Sequence, residues 1–348
     1  MMTNKTKVAL NCAAAGGLAI FVWWADGNMG AYAVQILNLI AVNIILALSL
    51  NLIYGFTGMF SLGHAGFMAI GAYACSILIM TPSQKEMLFI LQPAYSWVQN
   101  AQAPFMVAVL AGGVLAALVG FIVGAPLLRL GDDYLGIATL GFAEIVRVLA
   151  NNIPRITNGA LGFKGIPDYA NIWWNFGWCL FTLYCICRLI KSNFGNTLMA
   201  IRDDEPAAKA MGINVFQYKL LSFTIGSFFA GIGGALLASL VSTIDPKMFL
   251  FTLTFNVLMI VVTGGLGSIT GSVLASIAIT ILLEWLRFVE NPIYLGNFEL
   301  KGIPGMRMVV FSLALIIIIL FRREGLMGMR EFRWEWVRSL VHKRGEVK

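Results

Sequence analysis

The chain has 348 residues, of which 59% are hydrophobic and 12% charged, with a formal net charge of +7 and a mean hydropathy of +0.82. A soluble fold of this size needs more polar side chains to cover its surface, and a disordered chain needs fewer apolar ones, so both classes are excluded. The 59% amounts to roughly 205 residues, enough for about ten membrane spans of about 20 residues each.

Apolar runs occupy residues 8–24, 32–54, 59–80, 105–125, 134–151, 173–190, 220–242, 250–263, 272–289 and 305–321. Lipid offers no partner to an unpaired backbone group, so each run must be helical. The expected fold is all-α, a polytopic transmembrane helix bundle of about ten spans. The first run follows Lys5 and Lys7, is long, and lacks a small-x-small site before Asp26. It reads as an anchoring helix and not as a cleaved signal peptide. Glycines 55, 58, 63, 66 and 71 interrupt the second and third runs, which predicts a broken helix or close helix packing there. The eighth run is short enough to be tilted or re-entrant.

Charge gives the orientation. With the N-terminus inside and ten crossings, fifteen Lys and Arg residues fall on inner segments and five on outer ones. That bias predicts N-in and C-in termini. The five cysteines include no CxxC pair, and only His64 and His342 could join them as metal ligands, so neither a zinc site nor a disulfide framework is expected. The cysteines read as small buried hydrophobes.

The inner loop 192–219 is the most informative segment. Asp203 or Asp204 can cap a short helix, Pro206 suits its first turn and Gly212 its end. A helix of about two turns is unstable alone in water and needs a surface to dock on. Within the spans, Glu144/Arg147 and Glu284/Arg287 each share one helix face at i,i+3. Each pair is either a polar element of a translocation path or a neutralised pair holding helices together. Asn38, Asn43, Ser49, Asn51, Tyr54, Ser61 and His64 could line a path or make interhelical hydrogen bonds. Gly264, Gly265, Gly267 and Gly271 form a late glycine motif that favours a tight turn. No strand precedes it, so it is not a nucleotide loop. Lys164-Gly-Ile-Pro167 recurs as Lys301-Gly-Ile-Pro304, each downstream of a Glu-x-x-Arg, which either duplication or coincidence explains. The tail carries Trp334, Trp336 and eight basic residues after 321, which suits a membrane surface or a solvated charged tail; nucleic acid is not an expected partner.

Four segments together carry a resemblance. Glu205-x-Ala207-Ala208-x-Ala210-Met211-Gly212-Ile213 resembles the cytoplasmic coupling loop of the permease subunits of branched-chain amino acid ABC transporters. Asn51-Leu-Ile-Tyr54-Gly55-x-x-Gly58, running on to Ser61-Leu-Gly63-His64-Ala-Gly66-Phe-x-x-x-Gly71-Ala-Tyr73, is similar to that family's N-terminal signature. Asp133-Tyr134-Leu135-Gly136-Ile-Ala-Thr139-Leu-Gly141-Phe-Ala-Glu144-Ile-Val-Arg147 resembles its central segment, and Gly264-Gly265-x-Gly267-Ser268-x-x-Gly271 its glycine motif. These occur in the family's order over roughly residues 38–328. The central segment and Arg323-Glu-Gly325-Leu326-x-Gly328 resemble the M type of the two paired permeases. Glu324 and the long tail depart from the pattern.

The resemblance implies a transmembrane permease domain over 1–328 and a basic, Trp-containing cytoplasmic tail over 329–348. It also implies a second permease subunit, two cytoplasmic ATPase subunits, a periplasmic or extracellular substrate-binding protein, a bacterial inner-membrane location, and Leu, Ile or Val as substrate. Asp203, Asp204, Glu205, Ala207, Ala208, Met211 and Gly212 would then be the ATPase-coupling loop. No GxxxxGK[ST] occurs, so the expectation is that this chain is not an enzyme and holds no cofactor or metal, with ATP bound by the partners. Related permeases for urea and short amides are rivals for the substrate. A stand-alone ion-coupled carrier using Glu144, Glu284 and His64 is the rival mechanism.

Overall fold

The computed structural model describes residues 4–90, 92–130 and 132–287, with shorter stretches between 293 and 331. The second Lys-Gly-Ile-Pro copy, most of the tenth apolar run, Arg323 and Glu324, and most of the tail lie outside the described residues.

In chain order the helices are α1 (Asn4–Asn28), α2 (Ala31–Asn51), α3 (His64–Ile79), α4 (Pro82–Leu88), α5 (Ser96–Asn100), α6 (Phe105–Leu127), α7 (Asp132–Asn152), α8 (Pro154–Thr157), α9 (Ile172–Ile190), α10 (Asn193–Asp203), α11 (Glu205–Ala210), α12 (Val215–Val241), α13 (Phe251–Gly264) and α14 (Ile269–Trp285). Nine of the ten apolar runs therefore coincide with helices. Among the described residues four helices are long and apolar enough to cross a membrane: α2 with its extension to Phe56, α6, α7 from Tyr134, and α12. The helices α3 and α4 form a pair bent by 118°. At 14 residues α13 is only about 21 Å long, short of a hydrocarbon core of about 30 Å. Two small antiparallel ribbons interrupt the all-helical plan. One pairs β1 (Phe163–Lys164) with β2 (Thr243–Ile244), the other β3 (Ile293–Leu295) with β4 (Phe298–Leu300).

The centre of the bundle is α12, which packs on α6, α3 and α2. Lipid is as apolar as the core, so association rests on close packing and interhelical hydrogen bonds. Both are present. Where α3, α6 and α12 cross, Gly71 lies so close to Gly231 that an added Cβ would stand 2.0 Å from the Gly231 carbonyl oxygen, and one at Gly231 would stand 2.9 Å from the Gly112 carbonyl.

The contact between α2 and α14 is polar instead. Every fourth residue of α14 and its cap bears a polar group: Ser268, Ser272, Ser276, Thr280 and Glu284. The amide of Asn51 donates to the Ser268 carbonyl (3.0 Å) and the Ser272 hydroxyl (2.9 Å), Ser276 donates to the Asn43 carbonyl (3.4 Å), Asn43 donates to the Thr280 hydroxyl (2.9 Å), and Tyr32 donates to Glu284 (2.7 Å). The two helices are bonded along their whole length.

Candidate functional site

Four elements meet at one end of this ladder. After Asn51 the second helix widens into a π turn over Leu52–Phe56 and stops; Thr57 donates to the Leu52 carbonyl (2.9 Å), and Gly58 takes φ +81°. Residues 57–63 then run without helical structure until α3 begins at His64, later than the 59 expected from hydropathy alone. The break is held from three sides. Thr57 shares a hydrogen bond with Ser222 of α12 (2.7 Å), the Leu62 N–H donates to Thr139 of α7 (2.9 Å), and the Ala65 N–H donates to Thr254 of α13 (2.9 Å). His64 is buried at the start of α3. The Ser49 hydroxyl gives its proton to the Leu46 carbonyl (2.8 Å), so His64 Nε2–H donates to Ser49 Oγ (2.9 Å).

The inner loop contains two helices where one was expected. The first, α10, starts after Ser192 and exposes one face. The second, α11, is six residues long, capped by Asp204 and not Asp203: the Ala207 N–H donates to Asp204 Oδ1 at 2.9 Å. Pro206 fits its first turn, and Gly212, at φ +81°, supplies the left-handed turn that ends it. Ala208 packs inward on Ile201 and Val215, whereas Ala207 and Met211 (82% exposed) face out. Glu205 binds Lys209 and Lys219, each at 2.6 Å, which pins α11 to the start of α12. Those two ammonium groups, Lys209 first, hold the Glu205 carboxyl below its ordinary range.

Arg202, at the end of α10, joins this hairpin to the break. Its Nη1 donates to the Gly55 carbonyl in the π turn (3.0 Å), while its other nitrogens hold Asp203 at 2.8 and 3.0 Å. Its stem lies against Gly58, where an added Cβ would stand 3.1 Å from Arg202 Cγ. The glycine motif completes the junction. Gly265 and Gly267 take φ +112° and +78°, and the ends of α13 and α14 approach so closely that a Cβ on Gly271 would stand 2.2 Å from the Gly264 carbonyl. The motif is a tight turn, bonded to α2 because the Gly267 N–H donates to Asn51 Oδ1 (3.0 Å). Beyond the spans, the Leu326 N–H donates to the Thr263 carbonyl (2.7 Å), and the Glu331 carboxylate accepts from the Ile269 and Thr270 N–H groups at 2.6 and 3.1 Å. A carboxylate there complements the positive end of the α14 dipole.

The remaining candidates are dispersed. Asn38 is buried on α2, Tyr54 stacks edge-on against Phe60, and Ser61 accepts from the Gly63 N–H (3.4 Å). Glu144 and Arg147 bind each other on an outward face of α7, with Nε 3.0 Å from both carboxylate oxygens. Glu284 and Arg287, 3.8 Å apart, lie at the end of α14, and Glu284 also takes the Tyr32 hydroxyl. Arg202, Thr139, Thr254, Ser222, Ser272 and Glu331 were not singled out from sequence. The signals that could have found them were the acid beside Arg202 and the fourfold spacing of hydroxyls in α14.

Residues 32–320 match the family model described as branched-chain amino acid transport system / permease component. The chain is 31% identical over 330 residues to the high-affinity branched-chain amino acid transport system permease protein LivM of Escherichia coli (strain K12), covering 85% of this chain and 70% of that one. It is 28% identical over 320 residues to the probable branched-chain amino acid transport permease protein LivM of Methanocaldococcus jannaschii, covering 81% and 89%. To the permease protein LivH of the same E. coli system it is 24% identical over 306 residues, covering 82% and 91%. No solved structure matches the chain.

Proposed function

The chain belongs to the family of permease components of branched-chain amino acid transport systems, and on that premise we propose that it is the M-type membrane half of an ATP-driven importer of Leu, Ile and Val. It is a multi-pass membrane protein. In this reading it crosses a bacterial inner membrane ten times with both termini inside, pairs with a second permease, and receives substrate from an external binding protein. Two ATPase subunits bind the ATP, and this chain contributes no cofactor. The observation that carries the reading is the hairpin α10–α11. Its outer face of Ala207 and Met211 is small and apolar enough to seat in an ATPase groove, and its inner face is bonded through Arg202 to the broken helix. Closure of the ATPases would move the hairpin, and Arg202 would carry that movement to the break and to the α2–α14 unit, rocking it against the partner permease.

Reconstitution tests this. The chain in proteoliposomes with its second permease, ATPases and binding protein is expected to take up leucine only with ATP. Ala207→Arg is expected to leave assembly and ATP hydrolysis in place and to reduce uptake at least tenfold. Uptake by the chain alone under a proton gradient would overturn the reading in favour of a carrier.

A further inference from the structure

Among the described residues, Asn38 Oδ1, Asn175 Oδ1 and Thr182 Oγ1 are buried polar atoms without a hydrogen-bond partner. Asn175 and Thr182 stand on α9, and Asn38 stands on α2, the helix on which α9 mainly packs. The buried face of α9 runs through Asn175, Cys179, Thr182 and Ile186 at helical spacing. Leu37, next to Asn38, and Phe176, next to Asn175, pack in one cluster with Ile172, which sets these stretches of α2 and α9 side by side. Asn38 is seven residues into its helix and Thr182 ten, roughly 10 and 15 Å, so neither lies at a wet helix end.

The two sides of α2 differ. Toward α14 it is bonded at Tyr32, Asn43 and Asn51. Toward α9, among the described residues, no side chain of one helix bonds to the other, and Asn175 spends its amide N–H on the Ala170 carbonyl (2.6 Å) of its own segment. The outer end of α9 is tied instead to α12, where the Ser239 hydroxyl accepts from the Tyr169 and Ala170 N–H groups at 3.0 and 3.2 Å. Its inner end runs through Lys191 and Ser192 straight into α10. On the flank toward α12 lies an apolar groove of about 370 Å³, bounded by Phe181, Cys185 and Leu189 of α9 and Ile225 and Phe228 of α12. Between its ends α9 is therefore neither bonded to α2 by side chains nor packed tightly on α12.

A buried polar group without a partner raises the free energy of the arrangement that buries it. We propose that the α2–α9 seam is a sliding surface of the transport cycle, dry at rest and opened to water when the coupling hairpin moves. Water then pairs with Asn38, Asn175 and Thr182. The inference rests on the reading of the chain as an ATP-driven permease and names the internal contact that the hairpin shifts. A push on α10 reaches α9 through two residues, while Arg202 carries the same push to the break, and the seam lets α2 and α9 respond by different amounts. No side-chain bond has to break for the helices to slide, and the groove gives α9 room. The unpaired groups make the closed seam less stable than an apolar one and so lower the cost of leaving it.

Two measurements on the complete transporter in proteoliposomes test this. The first uses Cys179, on the buried face between Asn175 and Thr182, as a reporter. Cys12, Cys75, Cys185 and Cys187 are replaced by Ala, and a small charged methanethiosulfonate reagent is applied at rest and during ATP-driven leucine uptake. Modification of Cys179 is expected to be at least fivefold faster during turnover, and a smaller difference would overturn the proposal. The second uses Thr182→Val in the otherwise natural chain, which keeps the shape and removes the hydroxyl. A group unpaired at rest and hydrated during turnover predicts a higher thermal midpoint together with at least fivefold slower uptake. A lower midpoint would show that the hydroxyl is already partnered, and a smaller loss of uptake would show that the seam stays closed; either overturns the proposal. A wild-type complex without ATP-dependent uptake would instead remove the permease reading itself, and the proposal with it.

Discussion

Replacing Arg202 by Ala removes, among the described residues, the one side chain that hydrogen-bonds the α10–α11 hairpin to the broken helix. Its hydrogen bond to the Gly55 carbonyl is charge-assisted and half-buried, and the Arg202 side chain is only 17% exposed. Such a bond contributes about 1.5–3 kcal/mol. The pair with Asp203, whose side chain is 68% exposed, contributes well under about 1 kcal/mol. Only the first of these crosses from the hairpin to the break, so its loss weakens that linkage by about 2 kcal/mol, roughly a 30-fold shift between linked and unlinked states. Helix formation in α10 is not at risk, since Ala is the better helix former. The measurement is the ratio of leucine taken up to ATP hydrolysed in the reconstituted transporter. That ratio is expected to fall at least tenfold in Arg202→Ala while assembly and hydrolysis persist. Arg202→Lys keeps one donor for Gly55 and is expected to lie within about threefold of wild type. A wild-type ratio in Arg202→Ala, in a complex that assembles normally, would show that the hairpin acts on the bundle by another route.

Gly71→Ala places a methyl group 2.0 Å from the Gly231 carbonyl, so α3 and α12 must part by about 1 Å, at a cost of about 1–3 kcal/mol. The thermal midpoint of the purified chain should fall, and that of Gly177→Ala, where nothing lies within 4 Å, should not. Glu205 predicts a pH dependence. Its carboxyl is held below the ordinary value by Lys209 and Lys219, so its contribution is complete above the unfolded-state value of about 4.3 and is lost as the pH falls through the lower folded value. Amide-exchange protection of 205–213, corrected for intrinsic rates, should hold from pH 7 to 5 and decline below about pH 4. In Glu205→Gln it should be lower at pH 7 and flat with pH.

Local features were legible in the sequence because local chemistry sets them. Asp204, Pro206 and Gly212 specify α11 within nine residues, and the glycines after Asn51 announced a break that the structure places at residues 57–63, after the π turn Leu52–Phe56. The first inner helix, α10, was missed because the whole of 192–219 read as a polar loop with a single capped helix in it. The junction was not legible. Arg202 entered the sequence reading only as one inner-face charge, and its partner Gly55 is 147 positions away. Asn51 stood among seven polar candidates of equal standing; only the fold brings Gly267, Ser268 and Ser272 around its amide.

The reason lies in the solvent. In a soluble protein an apolar stripe marks the face of a helix that turns inward. In lipid both faces are apolar, so hydrophobicity carries no direction, and α12 is apolar on every side although it is the most central helix. Direction is then carried by residues that lipid cannot serve: small ones that admit a backbone, and polar ones that need a partner. Both were written into this chain at helical spacing. Ser268, Ser272, Ser276, Thr280 and Glu284 recur every fourth residue and face α2; Gly112, Ala116 and Gly120 recur every fourth residue and face α3 or α12.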